Sequence, residues 1–228
     1  MFVPISDDNS QRVRIPFVNL ALIALDGLAF LVELTTSSQG QGALDAFVRH
    51  WAAVPADYTG HGGGSGGPVP LTLLTSMFLH GGWGHLVGNM VYLGIFGDNV
   101  ESSLGHVKYL LFYLACGIAG ALAHIFTAPG STVPTLGASA AISGVLAAYI
   151  VYFPGNRVLV WFAFRVMAVP AMVVIGTWAL MQFLSSAGAI LSPSEGGGVA
   201  YTAHVGGFVA GLVLGAILKP RGESRRFA

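Results

Sequence analysis

Gly137–Phe153, GASAAISGVLAAYIVYF, decides how this chain is read. The stretch holds no charged residue, so it belongs in an apolar interior or in hydrocarbon. A helix needs roughly 20 apolar residues to cross the about 30 Å of a bilayer core. From Ser139 to Phe153, helical rise falls short of that distance. The helix is therefore expected to start inside the membrane, with Pro134–Ala138 as irregular chain above it. Irregular backbone at that depth is tolerated only where it is buried in protein or lines a wet cavity. A water-filled depression follows, with Ser139 on its floor. The serine would sit at a helix N-terminus, where N–H groups are unpaired and the dipole favours negative charge.

The rest of the chain supports a membrane setting. Of 228 residues, 54% are hydrophobic and 9% charged, and the mean hydropathy is +0.71. A soluble domain carries about 25% charged residues, so a soluble fold and intrinsic disorder are both excluded. Lys and Arg balance Asp and Glu at 10 each, which gives no signal for nucleic acid. A lone cysteine, Cys116, excludes an internal disulfide and a cysteine metal cluster. The expected fold is an all-α polytopic membrane protein, a single domain over 1–228 with six transmembrane helices. The spans read about 16–36, 82–98, 107–127, 138–153, 166–186 and 202–218. Nothing before the first span reads as a cleaved signal, so that span is expected to be retained.

Basic residues orient the spans. Arg12, Arg14, Lys108, Arg157, Arg165, Lys219, Arg221, Arg225 and Arg226 fall on one side, and Arg49 alone on the other. The positive-inside rule then predicts both termini in the cytoplasm. The long first external loop, about 37–81, contains a mostly apolar Ala43–Ala53 portion expected either to lie along the bilayer surface or to be disordered. Two glycine-rich runs, His61–Gly67 and the one around Gly196–Gly198, read as mobile connections.

Polar side chains inside spans are costly and each needs a reason. Counted at helical rise from the cytoplasmic end, Ser139 and His204 both lie roughly 22 Å up, and His85 roughly 20 Å. Asn89 is one turn from His85 on the same face. A serine needs a base to become a nucleophile, and His204 at equal depth can be that base. No Asp or Glu lies in this layer on the same spans, so a Ser–His dyad is a better inference than a triad. His85 and Asn89 can donate to an oxyanion. Two other readings stay open. The serine can be helix-packing glue in a scaffold without catalysis. His85, His204 and His124, which counts to the same layer, can ligate a metal. The Gly207 and Gly211 pair is a small-residue contact that would bring span six against span four.

HGGWGHLVGNM (His80–Met90), FGDNVESSLGH (Phe96–His106), GASAAISG (Gly137–Gly144) and AHVGGFVAG (Ala203–Gly211) together resemble the rhomboid intramembrane serine proteases. The resemblance runs over nearly the whole chain in the same order. It implies a rhomboid-like bundle with Ser139 as nucleophile and His204 as general base. His85, Asn89 and the Ser139 N–H would form the oxyanion hole, and span five with the fifth loop would act as gate and cap. It implies no cofactor and no metal. The partners would be transmembrane protein substrates and membrane lipid, with no indication of oligomeric state. The setting expected is a bacterial cytoplasmic membrane with the site open to the outer side. Substrates would be cut near the outer end of a spanning helix, at a small residue. Trp178 and Met181, at i and i+3 of span five, are candidates for a lateral barrier, and Phe183, about 140° around the helix, is a weaker one. The alternative for all three is lipid-facing packing. The chain departs from the family pattern at Ala140, where many members have Gly. It departs again at Ser143, where many have an aromatic stacked on the histidine. Ser102 and Ser103 stand where a basic residue often follows Glu101.

Overall fold

The structure, a computed structural model, describes residues 3–10, 12–62, 67, 69–191 and 200–220. Strand β1 (Val3–Asp7) precedes α1 (Phe17–Ser37), α2 (Gln41–Trp51), α3 (Pro55–Thr59), α4 (Val69–Thr75) and a 3-10 turn at Ser76–Phe78. Then come α5 (Trp83–Leu104), α6 (His106–Thr127), α7 (Ser139–Tyr152), β2 (Arg157–Phe162), β3 (Arg165–Pro170), α8 (Ala171–Leu191) and α9 (Tyr201–Leu218). Among the described residues, four segments are long and apolar enough to cross a membrane: α1, α6, Ala171–Gly188 of α8, and α9. The chain is thus a mostly helical, multi-pass membrane protein. α5 is 22 residues long but carries Asp98 and Glu101, and α7 has 14 residues.

α7 is the axis of the bundle. All ten residues Ala140–Tyr149 are buried, as expected of a helix that is apolar on every side. Its closest neighbour is α9. A Cβ on Gly207 would fall 2.0 Å from the Ala140 carbonyl oxygen, one on Gly211 2.4 Å from Gly144 Cα, and one on Gly215 3.2 Å from Ala148 Cα. Both helices advance by four residues at each contact and in the same sense, so they pack in parallel along one small-residue stripe each. The parallel register, with Gly207 against Ala140 and Gly211 against Gly144, sets the first turns of α9 beside and just beyond the start of α7.

At the other end of α7, polar groups tie the bundle together. Glu101, buried near the end of α5, accepts the N–H groups of Val18 (3.0 Å) and Asn19 (2.7 Å) in the first turn of α1. A carboxylate there satisfies donors that the helix itself leaves free. His106 Nδ1 also bonds Glu101 at 2.5 Å. Arg12 pairs with Asp98 at 2.8 Å, and Lys219 donates to the Val151 carbonyl at 2.8 Å. Arg12, Lys219 and the strands bearing Arg157 and Arg165 therefore gather at the end opposite Ser139.

The all-α expectation needs correcting at this basic end. β1, β2 and β3 form an antiparallel sheet in that order, with Val3 opposite Trp161 and Val158 opposite Val169. Val158 and Val160 turn into the core and their neighbours turn outward, the period-2 pattern of a half-buried strand. The span expected from about 166 starts instead at Ala171, because Val166–Pro170 pairs with β2. Hydropathy alone does not distinguish such a strand from the first turn of a helix.

The long first loop is built rather than loose where it is described. Ala53 and Thr135 exchange backbone hydrogen bonds of 3.2 and 2.8 Å, and Ala56 N–H donates to the Ser131 carbonyl at 3.0 Å. Ala52–Ala56 are buried, and α2 carries its apolar residues Leu44, Phe47, Val48 and Trp51 on one side at helical spacing. The expected mobile runs fall mainly outside the described residues, at 63–66 and at Gly196–Gly198.

Candidate active site

Ser139 is the first residue of α7 and His204 lies in the first turn of α9. The parallel packing brings them together, with Ser139 Oγ 2.7 Å from His204 Nε2. The other ring nitrogen, Nδ1, is 2.7 Å from Oε1 of Gln182 on α8. A carboxamide oxygen only accepts, so Nδ1 carries the hydrogen in this bond. Nε2 is then left with its lone pair, and the Ser139 hydroxyl donates to it. In chemical terms this is a hydroxyl aimed at an imidazole lone pair.

The chain before Ser139 keeps a space open beside it. Gly137 has φ +120°, and a Cβ there would fall 2.7 Å from His85 Cε1 and Nε2 and 3.6 Å from Ser139 Oγ. Glycine is needed both for the backbone angle and for the room. Gly137 is held by its N–H, which donates to the Ser76 carbonyl at 2.8 Å. His85 Nδ1 accepts from the Gly81 N–H at 3.3 Å, so its neutral ring carries hydrogen on Nε2, toward that space. Asn89, one turn along α5, is buried, and its Nδ2 has no hydrogen-bond partner among the described residues. Such an orphan donor is costly unless something accepts from it. Ser139, His204, His85, Asn89, Gly137 and Trp178 all line one cavity of about 640 Å³.

Sequence-predicted candidates separate here. Trp178 reaches the cavity, its ring 6.1 Å from the His204 ring. Met181 and Phe183 do not line it and are 62% and 59% exposed. The inward stripe of α8 runs instead through Ile175, Trp178, Gln182 and Ser186, at helical spacing. His124 bonds Thr202 Oγ1 at 2.7 Å and is not part of the cavity lining. Among the described residues no three His, Cys, Asp or Glu side chains are grouped as a metal would require. Ser143 donates to the Ser139 carbonyl at 2.6 Å, and the His204 ring is flanked by Trp178 and, edge-on at 6.3 Å, by Tyr201.

Two residues escaped the sequence reading. Gln182 is neutral and carries no signal among ionisable groups, yet it lies one helical turn from Trp178 on the same face. Glu33, toward the end of α1, is buried. It accepts the His80 N–H at 3.0 and 3.2 Å and so fixes the chain that enters α5. A carboxylate inside a span with no basic neighbour was itself a sign that a backbone donor would be found.

Fold and site together define a multi-pass membrane protein with a serine–histidine pair at the start of a central, short helix. The family model of the Rhomboid domain matches residues 69–221, and the chain belongs to the rhomboid family. It is 30% identical over 165 residues to Rhomboid protein 1, mitochondrial, of Saccharomyces cerevisiae, covering 68% of this chain and 44% of that protein. It is 32% identical over 146 residues to Rhomboid protease GluP of Bacillus subtilis, covering 64% and 25%. It is also 27% identical over 146 residues to Inactive rhomboid protein 1 of Drosophila melanogaster, covering 64% and 9%. The chain thus spans less than half the length of each of these relatives.

Proposed function

We propose that this protein is an intramembrane serine endopeptidase that cleaves transmembrane substrates near the outer end of a spanning helix. The observation that carries this reading is the 2.7 Å contact of Ser139 Oγ with His204 Nε2 at the start of a buried helix. Ser139 attacks the scissile carbonyl as His204 takes its proton. The tetrahedral oxyanion is met by His85 Nε2–H, Asn89 Nδ2–H and the Ser139 N–H. Donors placed beforehand where charge develops stabilise the transition state most. His204 then protonates the leaving amine, and water, activated by the same ring, releases the acyl-enzyme.

The membrane arrangement belongs to the same proposal. α5 and α7 join the four apolar segments as spans, giving six in one domain over 1–228. Both termini lie in the cytoplasm, and the cavity opens to the outer side of a cytoplasmic membrane. The gathering of Arg12, Arg157, Arg165 and Lys219 at the end away from Ser139 supports this orientation. Trp178, at the cavity edge on α8, is the residue we assign to a lateral gate. A substrate helix has its backbone groups already paired, so it must unwind locally, and the freed groups are satisfied in the wet cavity.

The test is covalent labelling of the full chain in detergent or bilayers with a fluorophosphonate, together with cleavage of a transmembrane substrate. Labelling at Ser139 is expected, and both labelling and cleavage should be lost in Ser139→Ala and His204→Ala. Cleavage that survives Ser139→Ala would overturn the assignment.

A further inference from the structure

We propose that Gln182 is a positioning residue that holds His204 in the one tautomer able to act as a base. This rests on the Ser139–His204 reading above and adds to the dyad a third member that is neutral. Neutral imidazole carries one hydrogen, on either Nδ1 or Nε2. Only the Nδ1–H form leaves a lone pair facing Ser139. Nothing in the serine–histidine contact selects that form, because a hydroxyl both donates and accepts. The selection comes from the far side of the ring, where Gln182 Oε1 lies 2.7 Å from Nδ1. The amide has a second orientation with the opposite result. With its NH2 turned to Nδ1, the ring would carry hydrogen on Nε2 and donate to Ser139, and the base would be lost. In this structure the oxygen faces the ring.

A carboxylate would select the same tautomer and also stabilise the imidazolium. Placed in a membrane-spanning helix it would itself be a buried charge, which is expensive wherever the ring is neutral. The amide supplies the direction without that charge. Gln182 and Trp178 are four residues apart on α8, so one helix presents both the acceptor for Nδ1 and the aromatic ring beside His204. α9 carries the base and α7 the nucleophile, while α8 sets the tautomer. If α8 moves aside to admit a substrate helix, the bond across the α8–α9 gap is interrupted. Proteolysis would then require α8 to return before His204 accepts the proton.

The experiment uses the full chain labelled with 15N-histidine, in the Ser139→Ala background as well as wild type. The His204 ring nitrogens are read by NMR and assigned by their loss in His204→Phe. Expected in wild type is a single Nδ1–H tautomer. Gln182→Leu should yield a mixture or the Nε2–H form, and kcat should fall by about 10- to 100-fold, less than the about 100- to 10,000-fold of losing a general base outright, with KM little changed. Gln182→Glu, nearly isosteric, should keep the Nδ1–H tautomer and recover most of kcat, with the acid limb of the pH–rate profile moved to higher pH. The other titratable groups felt by His204, His85 on α5 and His124 on α6, are untouched by these variants. An unchanged Nδ1–H tautomer in Gln182→Leu would overturn the proposal. The tautomer is read whether or not the protein cleaves, whereas the dyad reading stands or falls on Ser139→Ala. A Gln182→Leu chain that fails to fold leaves Gln182→Glu to decide, since an unmoved acid limb there also overturns it.

Discussion

The spacing of α7 and α9 should govern the rate, and Gly207→Ala measures it. The added methyl would fall 2.0 Å from the Ala140 carbonyl oxygen and 2.8 Å from its carbonyl carbon. Ordinary contact begins near 3.4 Å, so the shortfall is about 1.4 Å. Both obstructing atoms are backbone inside a buried helix, and neither can rotate away. α9 must then move off α7 by on the order of 1 Å, at a cost of about 1–3 kcal/mol in stability. His204 is one turn from Gly207, and Ser139 adjoins Ala140. The 2.7 Å bond between them would open to nearly 4 Å, beyond hydrogen-bonding range. A misplacement of about 1 Å in a catalytic group costs about 100-fold in rate. The expected outcome is a folded protein with kcat on a transmembrane substrate down by about that factor, and with fluorophosphonate labelling of Ser139 slowed alike. Gly94→Ala is the control, because its methyl would meet only Ile23 Cδ1 at 3.9 Å and should leave the rate within about twofold. A wild-type rate in Gly207→Ala would refute the reasoning, since it would mean that the helices slide without separating the pair.

Asn89→Ala should lower kcat by about 100- to 1,000-fold with KM little changed, as expected for one oxyanion donor; unchanged kinetics would place that donor elsewhere. Trp178→Ala should raise the rate on a stable transmembrane helix relative to that on an unstructured soluble peptide. The ratio is the readout, because the same ring flanks His204 and both rates can fall together; an unchanged ratio would argue against a gate at this residue. Burial raises the Asp7 carboxyl above its ordinary 3.8, against the hydrogen bonds from Tyr149 and Asn99. The folded state therefore holds the Asp7 proton more tightly than the unfolded chain. That contribution is complete below 3.8 and is lost as pH rises through the raised value. Asp7→Asn should remove this dependence, so its Tm relative to wild type climbs over that window and then levels off. Parallel melting curves at every pH would contradict the linkage.

What the sequence made legible was the part that chemistry makes costly. A span too short to cross, a serine at its start and two histidines at one depth are all expensive in hydrocarbon, so their counting rules are few and strict. Gly207 and Gly211 also signalled close approach, because glycine pairs one turn apart in a span have little other use. The sheet was not legible, since β2 and β3 are as apolar as a span and carry no intervening glycine. The turn between them uses Ala163 and Phe164, both with positive φ, where Asn or Gly would have announced a hairpin. Nor was the first-loop clamp legible, because the Ala53–Thr135 pairing joins backbone groups far apart in sequence.

The rotation of α8 shows why its inward face was harder to read than the approach of Ser139 to His204. α8 is apolar around nearly its whole circumference, so no hydrophobic stripe marks the side that faces the bundle. Trp178 and Met181 share a face by spacing alone, but packing turned the helix so that Gln182, not Met181, accompanies Trp178 inward. Polarity did hold the missing information. A carboxamide in mid-span needs a partner, as Glu33 did, and the partner it can reach from α8 is the ring nitrogen that the serine leaves free. Read that way, a Ser139–His204 layer without a carboxylate among the described residues leaves the far ring nitrogen to be satisfied by a neutral group. The spacing from Trp178 points to Gln182 as the neutral acceptor that fixes the histidine.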